Sequence, residues 1–309
     1  MGLSVVARAR ALTRVPATGA PLALLLTALL TAGCREKKPV VTTTLDGPSD
    51  ILPGPLASLI DAGPLTQASS RTIAVAGSQR DYVLVEPTTL DPAKRYPVVL
   101  VFHGDGGDAA GFHHAFPFEK ASGADAILAY PGGINATWDL DTKFDNRDVN
   151  FAESIVSELA ARFPIDKTRV FAAGYSSGGF LSNIIACQKS GLLRAISSSA
   201  GGAPYKQALV WTNGYPKCPG QAPIAMLALH GENDHGVSLD SGRFSAEYWA
   251  YIDECKTDQM ETTFYKECRA YRGCPSGKAV AFCQIPGLGH WVWDRAAEAS
   301  WTFFRTQTK

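Results

Sequence analysis

The stretch Gly174 to Gly178, read as GYSSG, places a serine between small residues in the pattern G-x-S-x-G. A serine in this pattern acts as a nucleophile when it lies on a sharp turn between a strand and a helix, with its hydroxyl group exposed. The chain contains 29 glycines, so the stretch could also be an ordinary turn built from small residues. The elements on either side must decide between these two interpretations.

The residues before the motif predict a strand, and those after it predict a helix. Residues 169–173 are mostly apolar, and the apolar positions that follow the motif have helical spacing. Ser176, in the centre of the pattern, is therefore the candidate nucleophile. Ser177 would begin the helix, where its backbone N–H can point at the negative oxygen that develops during attack on a carbonyl.

A second donor to such an oxyanion is expected from the loop after an earlier central strand. Residues 98–108, VVLVFHGDGGD, predict a buried strand followed by a glycine-rich loop. We expect the backbone N–H of Asp105 to be this donor, with Gly104 as the neighbouring alternative. An ordinary glycine turn after a buried strand is the competing interpretation.

A general base for the serine should be a histidine late in the chain, because in this kind of site nucleophile, acid and base follow in that order. Of the six histidines, His290 fits this order, since it lies in the glycine-bearing loop PGLGHWVWD directly after the last apolar run. Without the serine, His290 would be interpreted as an ordinary loop or packing residue.

The acid that would orient this base is expected between the serine and the histidine. Asp234 follows an apolar run in the stretch LALHGENDHG, and its carboxylate could accept the second N–H of the imidazole. Glu232 and Asp240 are alternatives in the same region, and a solvated turn is the competing interpretation of Asp234. His235 precedes the place of a triad base and is interpreted as a loop residue.

The elements that must position these residues alternate along the chain. Helix-like segments, notably 149–163 with Asp148 as its expected cap, separate the apolar runs. This alternation predicts an α/β fold with a mostly parallel central sheet flanked by helices. The predicted strands are 72–76, 82–85, 98–102, 126–130, 170–173, 195–198, 225–229 and 279–285.

The first 34 residues have the pattern of an exported protein. Three arginines precede an apolar run that ends in Thr-Ala-Gly before Cys34, as in a bacterial lipoprotein signal. We predict a signal peptide at 1–33, a lipid anchor on Cys34, a flexible tether at 34–70 and one domain at 71–309. Ordinary cleavage and an uncleaved anchor are the alternatives. Arg35 favours the outer membrane by resemblance to lipoproteins, with an extracellular location as the alternative.

Composition limits the partners of the chain. With 29 basic and 29 acidic residues the net charge is zero, which argues against a nucleic-acid partner and favours a neutral or weakly charged small molecule or oligosaccharide as substrate.

Six cysteines follow Cys34, so up to three disulfides are expected, and a zinc site is the competing interpretation. The stretch 139–146 has oxygen ligands without the rest of a calcium loop, and it is interpreted as a polar loop. We expect no metal and no cofactor.

Three tryptophans, Trp138, Trp291 and Trp293, could line a substrate subsite or pack in the core.

Several motifs occur in the order found in one group of α/β-hydrolases, namely VFHGDGGDAAGF, AYPGGINATW, DVNF, IDKTRVFAAGYSSGGFLSNIIACQ, LALHGEND and GLGHWVW. Over residues 82–290 the chain resembles the feruloyl esterase and polyhydroxybutyrate depolymerase-like group, which includes carbohydrate esterase family 1. The resemblance implies an α/β-hydrolase fold and a catalytic triad of Ser176, Asp234 and His290.

The activity implied is that of a secreted serine esterase that cleaves feruloyl or acetyl-type polysaccharide esters, or small acyl esters, through an acyl-enzyme. A polyhydroxyalkanoate depolymerase-like esterase, a peptidase and a surface binding protein that has lost turnover are the alternatives. The group often has a small residue or cysteine where this chain has Asp105. A carboxylate beside an oxyanion would oppose it unless the side chain turns away.

Overall fold

The computed structural model describes residues 65–141, 145–205, 209–218 and 221–307. The predicted signal peptide, the lipidated Cys34 and most of the predicted tether lie outside these residues. Within the described part of the chain, no helix is long and apolar enough to cross a bilayer.

In the described residues ten strands form one sheet with the order β1-β2-β4-β3-β5-β6-β9-β12-β11-β10. The six central strands, β4-β3-β5-β6-β9-β12 in sheet order, pair in parallel, and the outer strands on both sides pair antiparallel. The strands are β1 Thr66–Val75, β2 Ser78–Pro87, β3 Tyr96–Phe102, β4 Ile127–Pro131, β5 Ile165–Tyr175, β6 Ala195–Ser199, β9 Ala225–Gly231, β10 Lys256–Thr262, β11 Cys268–Arg272 and β12 Val280–Ile285, with β7 Leu209–Val210 and β8 Pro216–Lys217 forming a separate pair.

Helices cover both faces of the sheet and bury the central strands on both sides. In β3 the side chains of Val98 and Leu100 enter one core and those of Val99 and Val101 enter the other. Helices α3, α4 and α5 pack in the first core, and α1, α2 and α6 pack in the second. The helices are α1 Ala109–Ala115, α2 Glu119–Ser122, α3 Arg147–Arg162, α4 Ser177–Gln188, α5 Leu239–Ile252 and α6 Ala296–Thr306.

Two local predictions differ from the structure. The predicted tether extends to Ser70, but β1 begins at Thr66 and pairs with β2 along its whole length. This strand is largely exposed and rich in serine and threonine, so it has no apolar run to mark its start. The cap of α3 is Asn146 instead of Asp148, because Asp148 lies inside the helix and forms a buried 2.7 Å ion pair with Arg80.

All six cysteines after Cys34 form disulfides, as expected for an oxidising compartment. The bond between Cys187 and Cys218 ties α4, the helix after the candidate nucleophile, to the segment that follows β8. The other two bonds fasten the antiparallel edge near β12, and they join Cys255 to Cys274 and Cys268 to Cys283.

Candidate active site

Ser176 lies on the sharp turn between β5 and α4 that the sequence predicted. Its backbone has φ 52° and ψ −119°, a left-handed conformation that is strained for any residue other than glycine. The turn is so tight that a Cβ atom on Gly174 would collide with the carbonyl group of Gly178. A Cβ atom on Gly178 would in turn collide with the carbonyl oxygens at the end of β3. The two glycines are therefore what allow strand and helix to approach.

The structure brings Ser176, His290 and Asp234 into one hydrogen-bonded series. Nε2 of His290 lies 2.9 Å from Oγ of Ser176, and its Nδ1 lies 2.9 Å from each carboxylate oxygen of Asp234. A carboxylate can only accept, so Nδ1 carries the proton and Nε2 accepts from the serine hydroxyl. Residues separated by 114 positions in the chain thus meet at the carboxyl ends of parallel strands.

Asp234 is held as an anion in a buried position. Burial raises the pKa of its carboxyl group, but hydrogen bonds from His290 and from the backbone N–H groups of Val237 and Gly236 hold the pKa below its ordinary value. The alternatives engage other partners, since Glu232 accepts from Gln284 and Asp240 pairs with Arg243.

A second imidazole contacts the same carboxylate. His230, at the end of β9, is 1% exposed, and its Nε2 lies 3.2 Å from Oδ2 of Asp234 and 2.9 Å from the carbonyl oxygen of Val237. Sequence reasoning passed over this residue, although a histidine inside a buried apolar run is a signal for a constrained polar role. His235, predicted to be a loop residue, is exposed.

The loop after β3 lies against the nucleophile. A Cβ atom on Gly104 would come within 3.2 Å of Cβ of Ser176. The Asp105 carboxylate turns towards Thr137, whose hydroxyl donates to it over 2.6 Å, so the conflict expected from a carboxylate beside an oxyanion is reduced. In α4 the first helical hydrogen bond runs from Phe180 N to Ser176 O, which leaves the N–H of Ser177 in the unbonded first turn.

His103 fixes the start of this loop. Its Nδ1 lies 2.7 Å from the carbonyl oxygen of Gly104, and its Nε2 accepts from the N–H of Gly133 over 3.0 Å. Burial lowers the pKa of His103, which favours the neutral ring that this pattern of one donor and one acceptor requires. Trp138 is buried beside it and donates to the His103 carbonyl group over 2.8 Å, so Trp138 packs in the core.

Tyr175, directly before the nucleophile, reaches across to the histidine loop. Its hydroxyl donates to the backbone carbonyl oxygen of His290 over 2.8 Å, and burial together with the charge of Asp234 raises its pKa. The variable position of the G-x-S-x-G pattern gave no signal for this contact.

Two cavities flank Trp291, which is 46% exposed. One, of about 340 Å³, lies beside the loop after β3 and is lined by Asp105, Tyr175 and Trp291 among others. The second, of about 660 Å³, lies beyond Trp291 and is lined in part by Trp293. Of the three tryptophans considered for a subsite, the two in the histidine motif therefore face open space, although Trp293 is itself largely buried.

Residues 139–146 are described except for 142–144. The Asn146 side chain donates to the carbonyl oxygens of Asp139 and Asp141. Within the described ranges no three histidine, cysteine, aspartate or glutamate side chains are arranged to hold a metal ion.

The sequence is similar to esterases. It is 30% identical over 183 residues to feruloyl esterase C of Emericella nidulans, which covers 57% of this chain and 63% of that protein. It is 25% identical over 247 residues to feruloyl esterase B of Piromyces equi, covering 73% of this chain and 45% of that protein. The chain thus spans about half to two thirds of the length of these relatives. No protein-family model matches the chain.

Solved structures share the fold. An acetyl xylan esterase from Aspergillus awamori superposes with a TM-score of 0.60 at 17% identity, covering 76% of this chain and 99% of that one. A fluorophosphonate-binding serine hydrolase of Staphylococcus aureus superposes with a TM-score of 0.54 at 14% identity, covering 78% and 99%. The chain has the α/β-hydrolase fold. The predicted fold class and the predicted resemblance to feruloyl esterases are thereby confirmed.

Proposed function

We propose that the chain is a serine esterase that hydrolyses carboxylic esters through an acyl-enzyme. The observation that carries the proposal is the pair of 2.9 Å contacts that joins His290 to Ser176 and to Asp234. The strained turn at Ser176 and the names of the similar proteins, which are esterases, give further support.

In the first half of the reaction, Oγ of Ser176 attacks the ester carbonyl carbon while Nε2 of His290 takes the hydroxyl proton. The carboxylate of Asp234 stabilises the imidazolium ion that forms. The negative oxygen of the tetrahedral intermediate accepts from the N–H groups of Ser177 and Asp105. When the intermediate collapses, the alcohol leaves with the proton from His290, and the acyl group remains on Ser176.

In the second half, His290 takes a proton from a water molecule, which attacks the acyl-enzyme. A second tetrahedral intermediate forms, and as it collapses the imidazolium of His290 returns the proton to Oγ of Ser176 and the carboxylic acid leaves. Feruloyl or acetyl esters of polysaccharides and small acyl esters are the proposed substrates, since the similar proteins are named feruloyl and acetyl xylan esterases.

The site is expected to work outside the cytoplasm. Three disulfides in the catalytic body support export, because such bonds persist in oxidising compartments. We propose that the lipoprotein-type signal is cleaved before Cys34 and that acylation of this cysteine anchors the enzyme to the outer membrane. Incorporation of labelled palmitate into the chain, lost in Cys34→Ala, tests the anchor, and an unlabelled chain contradicts it.

The esterase proposal is tested with purified protein on p-nitrophenyl acetate and methyl ferulate. Ser176→Ala and His290→Ala should lower kcat by at least about 10³-fold, because each removes a group that acts in bond formation. His235→Ala, on the exposed loop, is the matched control and should retain kcat. Full activity of Ser176→Ala would contradict the proposal. A folded wild-type protein without turnover would favour a binding protein on the same scaffold.

A further inference from the structure

We call the cavity of about 340 Å³ beside the candidate nucleophile the acidic cavity, and its lining is unusual. Its wall contains the aromatic rings of Phe112, Tyr175 and Trp291, and its rim carries the carboxylates of Asp105 and Asp108. Among the described residues that line it there is no lysine or arginine. The remaining members of the lining are four glycines, Ala115 and His103, whose ring burial keeps neutral.

The aromatic rings of the wall pack against one another in series. The ring centroids of Phe112 and Tyr175 are 6.2 Å apart with nearly parallel planes, and those of Tyr175 and Trp291 are 5.0 Å apart with crossed planes. The face of an aromatic ring carries partial negative charge and attracts cations that lie within about 6 Å of its centre. Quaternary ammonium groups are recognised in this way.

The two carboxylates add full negative charge to the same cavity. Oδ1 of Asp105 accepts from the Thr137 hydroxyl over 2.6 Å, and Oδ1 of Asp108 accepts from Gly111 N over 2.8 Å as the cap of α1. Both side chains are exposed at the rim, and each adds a formal negative charge to the lining. The hydrogen bonds hold each carboxylate in place without neutralising it, so an incoming group meets a net negative field.

From the aromatic wall and the charged rim together, we propose that the acidic cavity binds a cationic organic group of the substrate, of the quaternary ammonium or protonated amine class. Anionic groups are excluded by the same field. The proposal rests on the proposed esterase function in that the cavity adjoins Ser176 through Tyr175 and Gly104. It narrows the substrates to neutral and cationic esters, with cationic esters preferred.

The test measures binding without turnover, using three small molecules of nearly the same shape. Choline carries a trimethylammonium group, 3,3-dimethylbutan-1-ol replaces it with a neutral tert-butyl group, and 3,3-dimethylbutanoate is an anion. Ligand-observed NMR titrations on the full chain should give choline a dissociation constant at least about tenfold below that of the alcohol, about 1.4 kcal/mol. The butanoate should bind more weakly than either.

Variants then assign the preference to the cavity. Asp105→Asn combined with Asp108→Asn should weaken choline about tenfold and leave the alcohol within about twofold, because only the charge is removed. Asparagine keeps both hydrogen-bond acceptors and is a good helix cap, so the fold is retained. Trp291→Ala should weaken both ligands. The control is Asp258→Asn, an exposed carboxylate on β10 at the far edge of the sheet, which should change neither affinity.

Equal affinity for choline and the neutral alcohol would overturn the proposal, and so would an unchanged preference in the double variant. The outcome of this binding test can be told apart from the outcome of the esterase test. Selective choline binding by a protein that hydrolyses no ester would uphold the cavity and refute the esterase. Hydrolysis of neutral esters without any preference for choline binding would uphold the esterase proposal and refute the cavity proposal.

Discussion

The hydroxyl of Tyr175 donates a 2.8 Å hydrogen bond to the backbone carbonyl oxygen of His290. The residue directly before the candidate nucleophile therefore holds the loop that carries the candidate base. The centre of the tyrosine ring also lies 5.3 Å from that of the His290 ring. We expect this link across the cleft to help hold Nε2 of His290 at 2.9 Å from Oγ of Ser176.

Tyr175→Phe should lower kcat on a small ester about three- to tenfold while KM changes by less than twofold. The substitution removes one hydrogen bond, worth about 1 kcal/mol, and keeps the ring that lines the cavity. Steady-state kinetics on p-nitrophenyl acetate measure both constants. Tyr205→Phe, a tyrosine away from the histidine loop, is the control, and an equal loss in that variant would refute the link.

His230 is expected to act as a positioning residue for Asp234, which it contacts over 3.2 Å. His230→Phe should reduce kcat about three- to tenfold, since the carboxylate loses one partner and the Val237 carbonyl loses its donor. His230→Gln, which keeps a donor, should recover part of the loss. The pH dependence of kcat should shift in His230→Phe and stay unchanged in His235→Phe; identical profiles in all variants would exclude the role.

Gly178→Ala should destabilise the fold, because the added Cβ atom would overlap the carbonyl oxygens of Phe102 and His103. Backbone atoms of a central strand cannot move aside, so we expect a loss of about 1–3 kcal/mol or more in the free energy of unfolding. Gly191→Ala is the control, since no atom lies within 4 Å of its added Cβ. Urea unfolding measures both, and equal midpoints would contradict the close packing of elbow and strand.

Asp253 gives the fold a dependence on pH. Burial raises the pKa of this carboxyl group to about 8, and only its Oδ1 accepts a hydrogen bond, from Ile224 N. The folded state therefore binds more protons than the unfolded state between about pH 4 and 8. The contribution of Asp253 to stability is largest below its unfolded pKa and falls as pH rises through this window.

Asp253→Asn should remove this slope, because the amide does not titrate. Thermal unfolding followed at pH 5, 6, 7 and 8 should show a larger fall in Tm for the wild type than for the variant. The difference in unfolding free energy between pH 5 and 8 is expected to be about 1–4 kcal/mol. Parallel Tm profiles would mean that the carboxyl group titrates normally in the folded chain.

Motifs with strong local patterns could be predicted from the sequence. The strand, turn and helix around Ser176 follow from an apolar run, two glycines and helical spacing. Chain order indicates His290, and the family resemblance indicates Asp234 among the acids that precede it. Contacts between elements could not be predicted in this way. The bond from Tyr175 to His290 and the contact of His230 with Asp234 depend on how β5, β9 and the last loop converge.

Exposed strands were also missed, for a related reason. Residues of β10 are all exposed, so they carry no apolar alternation, and the strand is defined by pairing with β11 and by nearby disulfides. The same holds for the first six residues of β1, 66–71, which precede the predicted strand 72–76. Burial leaves a mark in the sequence, whereas pairing at the edge of a sheet leaves little.

The most direct test of the account is covalent labelling with a fluorophosphonate, followed by location of the modified residue by peptide mass spectrometry. An activated serine reacts with this reagent, and Ser176→Ala and Ser177→Ala serve as the matched pair of variants. We predict modification of Ser176 alone, lost in Ser176→Ala and retained in Ser177→Ala. A folded protein that takes up no label, or label on Ser177, would contradict the assignment of Ser176 as the nucleophile.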